Sequence, residues 1–230
     1  MNLKSRVSIT SGGIIRFAST LVFFAGWFSM THAEAGELTW KVTDQGVLIV
    51  EDGNEVLFYQ RVDKSKEGRH TRAHYIHPLY DLDGNELTED FPDDHRHHRG
   101  IFWAWHQLRV GDQSIGDGWA IERFRWHVRD LDVNENDDGS ITIQAVVDWK
   151  SPDWQNGESA VVTEHAAIRV HPQQGDHRNV DFDIRMRANQ PSTLIGGSDD
   201  VKGYGGFSVR INLPSDIRFF GQDGKVTPQT

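Results

Sequence analysis

Regular alternation of apolar and polar residues recurs along this chain and is the feature that most constrains its fold. Across residues 141–149 every odd position is apolar, and the same period of two occurs in 124–128, 180–186 and 207–213. Such a period puts one set of side chains in the core and the other in solvent, as is typical of antiparallel sheets. Because no long amphipathic helix with capping residues is present, the pattern predicts an all-β protein.

Turn residues separate the predicted strands. Asp52 and Gly53 lie between two apolar runs and predict a hairpin, and glycine-containing turns at 136–139 and 173–176 precede two further strands. Many short strands at this spacing favour an antiparallel β-sandwich. We expect a single sandwich domain over residues 36–230.

The first 35 residues have the pattern of a secretory signal peptide. Lys4, Arg6 and Arg16 precede an uncharged run of 14 residues, 17–30, and Ala33 and Ala35 then form an A-x-A cleavage pattern. The run is shorter than the roughly 18 residues of a transmembrane helix. The pattern predicts cleavage near residue 35 and a periplasmic or secreted protein of bacterial type, with an uncleaved membrane anchor as the alternative.

Charge and cysteine content exclude several functions. The formal net charge is −10, and loss of residues 1–35 removes three positive charges and one negative charge, giving −12. A surface this acidic repels nucleic acid and anionic lipid, so we expect neither as a partner. The chain has no cysteine, which excludes disulfides, thiolate catalysis and cysteine-ligated metals. The oligomeric state is left open.

Residues 90–99 carry the densest set of chemically active side chains. They contain three histidines, His95, His97 and His98, together with two arginines and three aspartates. Histidine transfers protons near neutral pH and is a common metal ligand. We therefore predict that the three histidines are catalytic and that Arg99 binds substrate. The alternative is a solvated loop held together by its own hydrogen bonds.

His97 and His98 are consecutive, so in a strand their side chains would point to opposite faces. Pro92 and Gly100 flank them and favour a turn instead. In a turn both imidazoles can enter one site. The same argument separates Glu164 from His165, which lie in a predicted strand.

Other segments supply further candidates. His77 opens a segment that leads into a turn and is a possible catalytic partner, as is Glu164. Aromatic rings can bind the C–H faces of sugars, and polar groups in glycine-rich turns can bind the hydroxyls. The predicted substrate-binding residues of this kind are Trp103, Trp105, Asp117, Trp119, Lys202 and Tyr204.

Several well-known catalytic motifs are missing. The chain contains no Gly-x-x-x-x-Gly-Lys-Ser/Thr, Gly-x-Ser-x-Gly or His-Glu-x-x-His sequence. A P-loop, a serine hydrolase of the nucleophile-elbow type and a helix-based zinc protease therefore lack support. No set of metal ligands is predicted, and the cofactor requirement is left open.

Four segments, 77–80, 90–105, 116–119 and 202–207, resemble a bacterial family of unknown function that is known as PmoA-like. The resemblance implies a carbohydrate-active β-sandwich, similar in outline to the galactose-mutarotase supersandwich. Family members usually continue beyond the equivalent of Thr230, which implies that a C-terminal part is missing here. Methane oxidation is not expected, because methane monooxygenase has several membrane-spanning helices and this sequence has no comparable segments.

These observations favour an exported carbohydrate-processing enzyme that uses histidine acid–base chemistry on a small saccharide or glycan. Two alternatives remain. The first is a non-catalytic carbohydrate-binding module. The second is a metalloenzyme with histidine ligands, for which zinc, copper or iron would be suitable.

Overall fold

The computed structural model describes residues 1–10, 36–213, 219–221 and 224–226. These residues are nearly all β. The strands, in chain order, are β1 (Asn2–Thr10), β2 (Leu38–Val42), β3 (Gly46–Glu51), β4 (Asn54–Gln60), β5 (Lys64–Lys66), β6 (Arg69–Arg72), β7 (Tyr75–Leu79), β8 (Ile101–Trp105), β9 (Gln107–Val110), β10 (Gln113–Gly116), β11 (Arg125–Glu135), β12 (Ile141–Lys150), β13 (Val162–Val170), β14 (His177–Ala188), β15 (Thr193–Gly196), β16 (Gly205–Val209), β17 (Phe219–Gly221) and β18 (Gly224–Val226).

Two antiparallel sheets form the body of the protein, which confirms the predicted fold class. One has the strand order β1-β14-β13-β12-β11 and the other has the order β16-β8-β7-β4-β3-β2. Side chains from the two sheets meet in a shared core, where Trp103 of β8 contacts Phe182 of β14 with ring centroids 6.1 Å apart. Three smaller sheets, β10-β9-β15, β5-β6 and β17-β18, complete the described structure.

The predicted alternation agrees with the observed burial. In β12 the five odd-numbered residues are buried, and they are Ile141, Ile143, Ala145, Val147 and Trp149. The hairpin predicted at Asp52 and Gly53 joins β3 to β4. Burial of the apolar face removes its side chains from water, which is the main favourable term in the stability of such a sheet.

The alternation at 207–213 is longer than the strand that it forms. Strand β16 ends at Val209, because the chain then leaves β8 and pairs with a different segment. The backbone N–H of Arg210 donates to the carbonyl of Gly100 at 2.7 Å, and that of Asn212 donates to Leu87 at 2.8 Å. The end of β16 therefore lies beside the histidine-rich segment.

The segment that is expected to be a leader begins with an edge strand. β1 pairs with β14 over its whole length, and the Arg6 side chain forms an ion pair with Asp181. Residues 11–35, which include the apolar run and the small residues after it, lie outside the described residues. The signal peptide stays a prediction. Among the described residues, no helix has the length and hydropathy needed to cross a membrane.

Candidate functional site

The histidine-rich segment forms a turn between β7 and β8, as predicted. The backbone N–H of His98 donates to the carbonyl of His95 at 2.8 Å. Gly100 ends the turn with a φ of +55°, and a Cβ there would collide with the carbonyl oxygen of Ile76. Only glycine combines this positive φ with such a close approach to a neighbouring strand.

The turn brings the three imidazoles together. The ring centroids of His97 and His98 lie 4.5 Å apart, those of His95 and His98 lie 5.0 Å apart, and those of His95 and His97 lie 5.8 Å apart. We call these three residues the histidine cluster. Its geometry agrees with the prediction that consecutive histidines can share one side of the chain when the backbone turns.

Burial and neighbouring cations keep two members of the cluster neutral. Partial burial lowers the pKa of His97 to about 4, with further lowering from His95 and the Arg72 guanidinium. Burial likewise lowers the pKa of His98 to about 4, aided by His97 and His95. Both imidazoles are therefore unprotonated at neutral pH and able to accept a proton.

A cavity of about 400 Å³ opens beside the cluster and is lined by His98, Trp119, Lys202 and Tyr204, among others. All four were predicted from the sequence. The rings of Trp119 and Tyr204 are nearly parallel, with centroids 5.7 Å apart, and the His98 ring meets Trp119 edge-on at 5.4 Å. Because Trp119 is buried and Tyr204 is 45% exposed, the aromatic surface open to a ligand belongs mainly to Tyr204.

Two residues that the sequence analysis did not select also belong to this region. Arg210 lines the cavity and forms ion pairs with Glu89 at 3.0 Å and with Asp94 at 2.7 Å. Phe102 lines the same cavity. Phe102 was not predicted because it lies in the apolar run of β8 and has the pattern of a core residue. Arg210 was not predicted because its segment was expected to be an ordinary strand.

A second cavity of about 400 Å³ contains His106 and the predicted residue Asp117. The Nδ1 atom of His106 lies 2.7 Å from Oδ2 of Asp117, and the backbone N–H of Ala120 donates to the other carboxylate oxygen at 2.8 Å. A carboxylate that accepts the Nδ1 proton fixes the tautomer and leaves Nε2 free to exchange protons. His106 also stacks on Trp119 at 5.7 Å, so this pair adjoins the first cavity.

Arg99 does not line these cavities, although a substrate-binding role was predicted for it. Its side chain is fully buried and forms an ion pair with Asp90. It also donates to the carbonyl of His70 at 2.8 Å and to the hydroxyl of Tyr75 at 2.5 Å. With its donors directed at protein acceptors, Arg99 holds the histidine turn against β6 and β7. These bonds agree with the alternative stated for residues 90–99, in which hydrogen bonds hold the segment together and give it a structural role.

Trp103, Trp105 and His77 also lie away from the cavities described above. Trp103 is buried and donates from Nε1 to Glu164 at 2.7 Å. Trp105 is buried and packs on Trp149, with ring centroids 5.8 Å apart. His77 is half-buried beside Thr88, with Nδ1 and Oγ1 3.1 Å apart. Trp103 and Trp105 therefore offer little exposed surface to a ligand, and the catalytic role of His77 stays a prediction.

Glu164 is the centre of a buried polar network instead of a partner of the histidine cluster. One carboxylate oxygen lies 2.7 Å from Nε2 of His74, and the other accepts the indole N–H of Trp149 at 2.8 Å. The hydroxyl of Tyr59 lies 2.7 Å from Nδ1 of His74. His165 is exposed on the opposite face of β13, as predicted for adjacent strand residues. This network links the two sheets.

The metalloenzyme alternative requires at least three ligand side chains that face one metal position. In the part of the chain that the structure describes, no three histidine, aspartate or glutamate side chains are arranged to hold one metal ion. In the histidine cluster the three imidazole rings pack against one another. In a metal site, three ring nitrogen atoms would instead face the position of the ion.

Fold and site together define an antiparallel β-sandwich with a histidine cluster and aromatic side chains beside a small cavity. The chain belongs to a family of unknown function, DUF6807, whose family model matches residues 46–229. This match covers the sandwich from β3 onward. No curated protein matches the chain, and no solved structure matches it.

Proposed function

We propose that this protein is an exported carbohydrate-processing enzyme that uses histidine acid–base chemistry. The observation that carries the proposal is the position of His98, whose neutral imidazole lies in one cavity with Trp119, Lys202 and Tyr204. Cavities of a few hundred Å³ that combine aromatic surface with a few polar groups are typical of small-molecule sites. Because the family itself has no assigned function, the proposal rests on this geometry.

Each side chain has a definite part in the proposal. The exposed ring of Tyr204 binds the C–H face of a sugar ring, and the Lys202 ammonium donates to hydroxyl oxygens. His98 accepts a proton from a bound hydroxyl group or water, with His97 beside it as the second neutral imidazole. His106, held by Asp117, supplies a further proton-transfer group next to Trp119.

The decisive experiment is a turnover assay on the purified protein. Mono-, di- and oligosaccharides, both neutral and acidic, are incubated with wild-type protein, and products are followed by NMR spectroscopy. We expect at least one saccharide to be converted faster than in buffer alone, and Tyr204→Ala to slow that conversion. The exposed change Trp40→Ala on β2 is the control. No conversion of any saccharide would contradict the proposal.

The exposure of Tyr204 also suits the alternative function, a carbohydrate-binding module. The two functions differ in what the histidines do. In an enzyme, loss of His98 removes turnover and leaves saccharide binding measurable, whereas a binding module binds saccharides and never converts them. Conversion by the wild-type protein therefore separates the two.

Export is part of the proposal and rests on the amino-terminal sequence. The cationic start, the apolar run 17–30 and the A-x-A pattern at 33–35 are the supporting observations. We expect protein expressed with its natural amino terminus in a Gram-negative host to appear in the periplasm, with a first residue at or near position 36. Edman sequencing of the recovered protein checks this, and a retained Met1 would contradict it.

The PmoA-like relationship stays a prediction.

A further inference from the structure

A third cavity, which none of the predicted site residues lines, has a volume of about 820 Å³. It lies between the ends of β11 and β12 and the segments that follow β2 and β4. Its charged and aromatic lining includes Arg61, Arg125, Lys150, Asp44, Asp63 and Trp126. We call it the cationic cavity, since its lining has three cations and two carboxylates. This excess of positive charge contrasts with the net charge of the chain, which is −10.

The ion pairing inside the cavity leaves positive charge available. Arg125 is paired with Asp63 at 2.8 Å. Arg61 and Lys150 are half-buried, and within the described residues neither has an ion pair. The remaining carboxylate of the lining, Asp44, is exposed and is also without an ion pair there, so two unpaired cations stand against one unpaired carboxylate. Partly buried cations lose hydration without gaining a protein partner, so a bound anion would be favoured beside them.

The wall of the cavity adds buried donors that lack acceptors. Among the described residues, Nε1 of Trp126 and both Nε and Nη1 of Arg72 are buried without a hydrogen-bond partner. The Arg72 guanidinium lies 4.0 Å from the centre of the ring of Trp126, which lines the cavity. Unpaired buried N–H groups are costly. The positive charge of Arg72 beside Trp126 adds to the positive potential near this wall.

Two observations place the cationic cavity near the candidate site. Lys150 lines the cationic cavity and Asp153, three residues later, lines the cavity of the His106–Asp117 pair. The Arg72 guanidinium contacts the Phe102 ring at 4.7 Å, and Phe102 lines the histidine cavity. Because Arg72 and Phe102 are both buried, their contact places the cationic cavity near the candidate site without providing a route between them.

We propose that the cationic cavity binds the carboxylate of an acidic saccharide, with Arg61 and Lys150 as the groups that pair with it. This inference rests on the proposed function for the choice of a saccharide and makes the substrate class more specific. The carboxylate replaces the hydration that the two cations lose on partial burial. A uronic-acid-containing oligosaccharide is the ligand with this chemistry.

Binding of defined probes tests the proposal. Isothermal titration calorimetry compares digalacturonate with the neutral disaccharide lactose at low and high salt. We expect the wild-type protein to bind digalacturonate more tightly than lactose, and added salt to weaken the binding. The double change Arg61→Gln/Lys150→Gln should weaken digalacturonate binding by about tenfold or more, since two charge-assisted contacts are lost.

A charge-matched control keeps the test specific. Lys41→Gln/Arg187→Gln removes two exposed cations from strands outside the cavity, and it should leave digalacturonate affinity unchanged. Urea unfolding of both double variants checks that the fold is retained. Equal wild-type affinity for the two disaccharides, or equal loss of affinity in both double variants, would overturn the inference.

The outcomes also separate this inference from the proposed function. Conversion of neutral saccharides without any preference for uronates would overturn only the acidic-saccharide inference. Tight, salt-dependent binding of digalacturonate without conversion of any saccharide would support the cationic cavity and contradict the proposed enzymatic activity. Binding of inorganic sulfate as tight as that of digalacturonate would overturn the assignment to a sugar carboxylate.

Discussion

Replacing Glu164 with alanine is expected to lower the free energy of unfolding by about 3–5 kcal/mol. The carboxylate is fully buried and accepts hydrogen bonds from the indoles of Trp103 and Trp149, and it contacts His74. Its removal leaves three buried donors without an acceptor and a cavity between the two sheets. Each unsatisfied buried donor costs about 1–3 kcal/mol, although such costs are not additive.

Urea unfolding followed by tryptophan fluorescence measures this loss. Glu158→Ala is the matched control, because Glu158 is exposed and should change stability by less than about 0.5 kcal/mol. Glu164→Gln should fall between the two, since its amide keeps one acceptor oxygen but directs an NH₂ group toward other donors. A loss below about 1 kcal/mol in Glu164→Ala would show that the network contributes little to stability.

His97→Ala and His98→Ala are each expected to reduce turnover of a converted saccharide by about 10²–10⁴-fold, the usual contribution of a general acid or base. Both side chains are only partly buried, so stability should change little. The control is His165→Ala, on the exposed face of β13. Initial rates at saturating saccharide, together with urea unfolding of each variant, provide the two measurements.

The pH dependence of wild-type turnover supplies a second check on the cluster. The pKa values of His97 and His98 are lowered to about 4 in the free protein, and the unprotonated imidazole is the proton acceptor. The quotient kcat/KM should therefore fall as pH falls through about 4, and it should be constant between about pH 5 and 7 with respect to these groups. A limb near pH 6.5 that persists in His106→Ala and disappears in His98→Ala would indicate that His98 is an ordinary, solvated histidine.

Loss of stability would change the assignment of the cluster. If either His97→Ala or His98→Ala lowers the free energy of unfolding by several kcal/mol, that imidazole is a structural part of the turn. The network around Arg99 already shows that this segment contains structural hydrogen bonds. Unchanged turnover in both variants would remove the cluster from the proposed mechanism.

Local sequence determined the strands and the character of the histidine turn. Period-two alternation was sufficient for β12 and β14 because side chains alternate between the two faces of any strand, so adjacent residues show which face is apolar. Gly100 and Pro92 predicted a turn at the histidines because their backbone restrictions are local. The choice of His98, Trp119 and Tyr204 depended on residue type; the structure places them in one cavity, and their roles stay predictions.

Only the tertiary structure decided which polar side chains face the cavities and which form hydrogen bonds inside the protein. Arg99 and Trp103 have the same chemistry as ligand-binding residues. The acceptor of Trp103 is Glu164 of the opposite sheet, and the two meet only when the sheets pack. Arg99 pairs with Asp90 of its own segment, but its bond to the carbonyl of His70 forms only when β6 lies beside the turn. The same packing joins His106 to Asp117 across 11 positions. Residue type limits the bonds that a side chain can make, and long-range packing determines which of those bonds form.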